Sequence, residues 1–134
     1  MSVQIHLSRF LKNEQNNPAF KRVADAFIEY KTTGEPGKLF GRDKVTDRPR
    51  LALQEKMKHL HILDEKTFKL NKLYLKSQDH RHSDTMLFYC SGAIFDDHYL
   101  LIGIVWENAH DFMENEHTIL WNYALEAEEF RMKW

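Results

Sequence analysis

The stretch "HLHIL" (59–63) places two histidines two residues apart within an apolar run. On an extended strand, positions i and i+2 point to the same side. His59 and His61 are therefore predicted to stand side by side, with Leu60 and Ile62 facing the other way. Lys56 and Lys58 lie close by, a second pair, His80 and His82, flanks Arg81, and His110 follows a strongly apolar run. Imidazoles among ammonium and guanidinium groups fit phosphodiester chemistry. A ring that titrates near neutrality can take a proton from one oxygen and return it to another. Cationic groups can hold the phosphate and stabilise the charge that builds on it. With RNA the nucleophile is the substrate's own 2′-hydroxyl, and an aromatic such as Tyr89 or Trp106 can stack on a base.

Two other readings compete. His59 and His61 extend to Glu65 as His-x-His-x-x-x-Glu, a spacing that could hold zinc or iron. It resembles the first cupin motif, but the glycines that shape that motif are missing, since none occurs between Gly41 and Gly92. The blander alternative is a pair of histidines decorating the polar face of a sheet, or Tyr89 and Trp106 packed in a core.

The elements that would position these groups read as an α+β domain. Val3 to Phe10 alternates as an edge strand. Asn17, Pro18 and Gly34 mark the cap, first turn and stop of a helix whose apolar stripe is Phe20, Val23, Ala24, Phe27 and Ile28. "EPGKLFGRDKVTDRPR" (35–50) reads as a basic, turn-rich loop leading to the histidine strand, and 67–77 as an irregular strand or loop. Residues 85–95 and 99–106 are apolar with little alternation, as expected of strands covered on both faces. Residues 96–98 would turn between them in an antiparallel hairpin. Residues 111–134 read as one helix with a stripe of Ile119, Leu120, Tyr123, Ala124, Ala127 and Phe130. The neighbours are antiparallel and the helices pack on the sheet.

The 134 residues fit a single domain, 1–134, long enough to bury about two-thirds of its unfolded surface. Cys90 is the one cysteine and has no internal partner. The N-terminus lacks a signal-peptide pattern and no apolar run has the length of a membrane span, so a cytoplasmic protein is expected. The net charge of −1 hides a segregation. Residues 38–82 carry twelve Lys/Arg against six Asp/Glu, and residues 96–134 carry two against nine. The basic part could face a polyanion, or the two parts could attract each other in the fold.

Taken together, "FIEYKTTGEPGKLFGRD", "HLHIL", "LFYCSGAIFDDHYLLIGIVWENAH" and "AEEFRMKW" resemble the YafO family of bacterial toxins, in order from Phe27 to Trp134. The chain departs from the family in having Glu-Asn-Ala before His110, where a proline-rich turn is expected. The resemblance implies a RelE-like antiparallel sheet with an N-terminal and a C-terminal helix packed on it. It also implies a type II toxin that acts as a ribosome-dependent mRNA endonuclease, neutralised by a YafN-like antitoxin, and needs no metal or cofactor. His59, His61 and His110 match family histidines and are the expected acid and base. Arg42 and Asp43 match a Gly-Arg-Asp motif, Tyr89 and Cys90 a Tyr-Cys pair, and Glu128, Phe130 and Arg131 the terminal motif. Arg42, Lys58 and Arg81 are expected to hold the scissile phosphate, with Tyr89 and Arg131 also on the RNA. A non-enzymatic ribosome blocker and a His-x-His metal enzyme are the alternatives.

Overall fold

Asn17, Pro18 and Gly34 bound the first long helix as their chemistry dictates. In the computed structural model, which describes residues 2–63 and 83–134, α1 spans Pro18–Thr33. The Asn17 side chain accepts a hydrogen bond from the Ala19 N–H at 3.0 Å. Gly34 takes the left-handed conformation at φ 81° and donates its N–H to the Tyr30 carbonyl, a conformation that costs a glycine little. Phe20, Val23, Phe27 and Tyr30 are buried, while Ala24 and Ile28 are half-buried.

Five strands form one sheet: β1 (Gln4–Leu7), β2 (Phe40–Val45), β3 (Lys58–Ile62), β4 (Met86–Ser91) and β5 (His98–Val105). Their order is β1-β5-β4-β3-β2. The pairs β2–β3, β3–β4 and β4–β5 are antiparallel, as expected. β1 instead runs parallel to β5, so the α+β sheet is mixed. No hairpin links β1 to β5, so nothing local imposes the antiparallel direction.

β2 lies within the stretch that reads as a loop from sequence. Its glycine and run of charges hide a strand whose inward groups are Phe40, which is buried, and Asp43, whose side chain is 8% exposed. The β2–β3 register shifts between Phe40 and Asp43, and Arg42 sits half-buried in that irregularity. The hairpin also differs from expectation, because β4 ends at Ser91 and residues 92–97 connect it to β5. The Ile94 and Phe95 N–H groups donate to the Trp134 carbonyl at 3.0 and 2.8 Å instead of extending the ladder. The stretch 67–77 lies outside the described residues.

Each face of the sheet has its own cover. α1 packs with Phe40, Leu60, Leu87, Tyr89 and Leu101 on one side. On the other lie three helices, α2 (Arg50–Gln54), α3 (Ala109–Asn115) and α4 (His117–Lys133). Met86, Phe88, Cys90 and Ile102 meet Leu120, Tyr123, Ala124, Ala127 and Phe130 there. The predicted 111–134 helix is thus two, broken at Glu116 (φ −96°, ψ 59°). Of its predicted stripe only Ile119 turns outward, at 37% exposure. Gly103 faces Phe88, and a Cβ there would collide with the Tyr123 ring, so this glycine sets how closely α4 approaches. Among the described residues no helix is long and apolar enough to cross a membrane.

Candidate functional site

Strand alternation divides the expected site between the two faces. His59 pairs with Phe88 and His61 with Met86, both on the side of α3 and α4. Lys58 pairs with Tyr89, on the side of α1. The histidines do lie in a row. The rings of His59 and His61 are 6.1 Å apart, and those of His61 and His110 are 5.6 Å apart. The expectation that they line an open cleft is corrected by their burial, with His59 at 8% and His61 at 2% exposure.

Their ring nitrogens are engaged by the protein. His59 Nδ1 is 3.0 Å from the hydroxyl of buried Thr46. His61 Nδ1 accepts the Ser83 N–H at 2.9 Å, which leaves the ring proton of neutral His61 on Nε2. Burial, partly offset by the pull of Asp43 and Asp47, pushes the His59 ring down to about 4, so it is neutral at physiological pH. His110 alone is exposed. It follows Asn108, a residue in the left-handed region at φ 57°, and Ala109. Its N–H and its Nδ1 lie 3.0 and 2.9 Å from Asp84 Oδ1. Its backbone N–H, with the ring adding to the effect, holds the Asp84 carboxyl below the usual range.

The opposite face carries a denser arrangement of polar groups. Asp43 Oδ2 accepts the Tyr30 hydroxyl at 2.8 Å, and the Tyr89 hydroxyl lies 2.8 Å from both Asp43 oxygens. Lys31 Nζ donates to Tyr89 Oη at 2.9 Å and stands 3.4 Å from Asp43 Oδ2. Lys58 Nζ is 3.6 Å from Asp43 Oδ1. One carboxylate with 8% side-chain exposure thus gathers two phenols and two ammonium groups, which provide the partners a buried charge requires. Burial first, and Asp43 next, push the Tyr89 phenol well above its ordinary value. Burial lowers the Lys31 amine, an effect that Asp43 opposes and Lys58 reinforces.

Above this cluster opens a groove of about 820 Å³. Lys31, Lys56, Lys58, Tyr89 and Tyr99 line it, with Val45 and Leu53 on its walls and Asp96 and Asp97 at the hairpin end. Lys56 adopts φ 53° at the turn from α2 into β3. That is a left-handed conformation uncommon outside glycine, and such strain is concentrated at functional positions.

Of the remaining expected residues, neither Arg42 nor Arg131 lines the groove. Arg131 is largely buried, with Nη1 donating to the Ser91 carbonyl at 2.9 Å and Nε 3.3 Å from Glu55, so it ties α4 to β4 and α2. Arg81, His80, His82 and Glu65 lie outside the described residues. The Cys90 thiol is buried and pushed up to about 12 by that burial, which makes it an inert core group. Among the described residues no three His, Cys, Asp or Glu side chains converge as a metal-binding group.

Tyr30, Lys31 and Asp43 fall within the motifs that carry the resemblance, but the sequence reading assigned them no role at the site. A signal for Lys31 was present. Phe20, Ala24, Phe27 and Lys31 share one helical stripe, and a charge on a core-facing stripe requires a partner. Asp43 had only the Gly-Arg-Asp motif as a signal, because its strand reads as a loop and shows no periodicity.

The family model described as toxin YafO of a type II toxin–antitoxin system matches residues 28–132. The matched span includes the Asp43 cluster, both strand histidines and His110, and it begins just past Phe27. No curated protein and no solved structure matches the chain.

Proposed function

The chain belongs to the YafO toxin family of type II toxin–antitoxin systems, and from that premise we propose that it is a ribosome-dependent endoribonuclease that cleaves mRNA in the cytoplasm and is held inactive by a YafN-like antitoxin. One observation carries this reading: the groove sets three ammonium groups, Lys31, Lys56 and Lys58, around the phenols of Tyr89 and Tyr99. Its volume of about 820 Å³ lies in the range of pockets that enclose a small ligand. Cations hold the phosphodiester, aromatic surface takes a base, and the 2′-hydroxyl of the RNA is the nucleophile.

The groove, and not the histidine row, is the seat of the chemistry in this reading. The imidazoles of His59 and His61 are buried, at 8% and 2% exposure, and so are poorly placed to meet a phosphate. His59 and His61 instead fix the two flanks of β3 through Thr46 and Ser83. Lys56 and Lys58 bind the scissile phosphate. Tyr99, half-buried at the wall, is the stacking surface. Tyr89 is buried at 1% and serves as scaffold. The acidic segment from 96 to 134 lies mostly on the other side of the sheet, in α3 and α4, so the charge separation orients the chain on a polyanion.

The test is to map mRNA 5′ ends after brief induction of the wild type and of a Lys56→Ala/Lys58→Ala variant. Discrete new ends on ribosome-bound messages, lost in the variant, are expected. Growth arrest with intact messages would replace the nuclease with a protein that blocks ribosomes by occupying them.

A further inference from the structure

Cleavage of RNA by its own 2′-hydroxyl leaves a 5′-oxygen that must gain a proton, and the donor has to stand at the groove. We propose that Lys31 is that general acid, with Asp43, Tyr30 and Tyr89 positioning its ammonium. The inference rests on the nuclease reading above.

The geometry sets Lys31 apart from the other lysines. Its side chain is 15% exposed, against 35% for Lys58, and Lys56 is an exposed residue. Nζ is held by Tyr89 Oη at 2.9 Å and by Asp43 Oδ2 at 3.4 Å. The rings of Tyr30, Tyr89, Tyr99 and Phe27 surround it at 4.5, 4.8, 5.6 and 5.7 Å from their centroids. An ammonium has three N–H groups, so two fixed acceptors leave a third for a substrate oxygen.

The groups facing Lys31 come from every element around it. Asp43 on β2 favours the charged form, and Lys58 on β3 opposes it. Tyr30 on α1, Tyr89 on β4 and Tyr99 on β5 are neutral phenols, and Asp96 and Asp97 of the hairpin line the same groove. Burial makes the Lys31 proton easier to give than that of an ordinary lysine. Tyr89 is the poorer donor, because its proton is committed to Asp43 and burial holds it more tightly.

In the step, the 2′-oxygen bonds to phosphorus and its proton passes to solvent water. The bond from phosphorus to the 5′-oxygen breaks, and Lys31 Nζ gives that oxygen a proton. The products are a 2′,3′-cyclic phosphate and a 5′-hydroxyl, and the amine recovers its proton from solvent. No oxidant, reductant or further reactant enters.

The experiment uses programmed ribosomes carrying a message with either the ordinary linkage or a 5′-bridging phosphorothiolate at the position the wild type cuts. Sulfur departs as a thiolate and needs no proton. Single-turnover rates are measured for the wild type, Lys31→Ala and Lys31→Arg. Both variants are expected to lose about 10²–10⁴-fold on the ordinary linkage, the share of a general acid. On the sulfur linkage they should return to within about tenfold of wild type. The wild-type rate should also fall at alkaline pH, and the fall should be absent in Lys31→Arg. A wild-type rate for Lys31→Arg on the ordinary linkage overturns the assignment, and so does an equal loss on both linkages, the mark of a merely structural role. Failure of the wild type to cut either message overturns the nuclease reading itself, and the assignment with it.

Discussion

Lys58 and His59 are consecutive in sequence and serve opposite faces of the sheet. Lys58 Nζ stands 3.6 Å from Asp43 Oδ1 beneath the groove, whereas His59 Nδ1 meets the Thr46 hydroxyl at 3.0 Å on the side of α3 and α4. A single strand thereby separates a cationic, partly open surface from a buried row of imidazoles. The two strand histidines face α3 and α4, whereas Lys58 faces the partly open groove.

Asp43 is the common acceptor for Tyr30, Tyr89, Lys31 and Lys58. Asp43→Asn keeps the shape and removes the charge, leaving Lys31 largely buried without a counter-ion. Loss of one partner of such a network costs about 3–5 kcal/mol. Urea unfolding is expected to show a loss of that order, and mRNA cleavage should fall with it. An unchanged unfolding midpoint would mean that the cluster does not hold the groove together.

His59 carries a pH dependence whose sign is fixed by burial. Its folded value of about 4 lies below the ordinary 6.5, so the unfolded chain binds the proton more readily. Its effect on stability is constant above about pH 6.5 and becomes a loss as pH falls from there to about 4, reaching roughly 3 kcal/mol. His59→Asn, which retains a polar atom for Thr46, is expected to flatten that part of the stability curve. Denaturant titrations at pH 7, 5.5 and 4.5 provide the comparison. Equal slopes for the two proteins would show that His59 is not the group responsible.

His110 is exposed and paired with Asp84, away from the groove-facing side chains of β3 and β4. His110→Gln is therefore expected to change the cleavage rate by less than about threefold, far below the hundredfold or more of a lost acid or base. A loss of that larger size in single-turnover assays would return the histidine row to the reaction.

Lys56 and Lys58 are expected to bind phosphates directly. Each phosphate contact on a single strand contributes about 0.7 to the slope of log affinity against log salt. Lys56→Ala/Lys58→Ala should therefore lower that slope by about 1.4 for a short RNA oligonucleotide. Titrations from low to moderate salt measure it directly, and parallel lines for the two proteins would move the phosphate site elsewhere.

The sequence alone determined whatever depends on neighbours along the chain. Asn17, Pro18 and Gly34 set the ends of α1 because capping is a local matter of φ, ψ and one side-chain hydrogen bond. The apolar runs around 85–95 and 99–106 announced strands covered on both faces, since burial on two sides abolishes alternation. The ordered motifs from Phe27 to Trp134 marked the family.

Tertiary structure decided everything that depends on which face meets which partner. The two-residue repeat placed His59 and His61 together, but only the packing of α3 and α4 showed that their shared side is buried. β2 became a strand because β3 offered it a ladder and Tyr30, Tyr89, Lys31 and Lys58 offered Asp43 their donors. Residues 30, 31, 43, 58 and 89 are scattered along the chain. A carboxylate's need for counter-charges inside a fold is what draws them to one point, and apart from Lys31 on the apolar stripe of α1 that need leaves no periodic trace in the sequence.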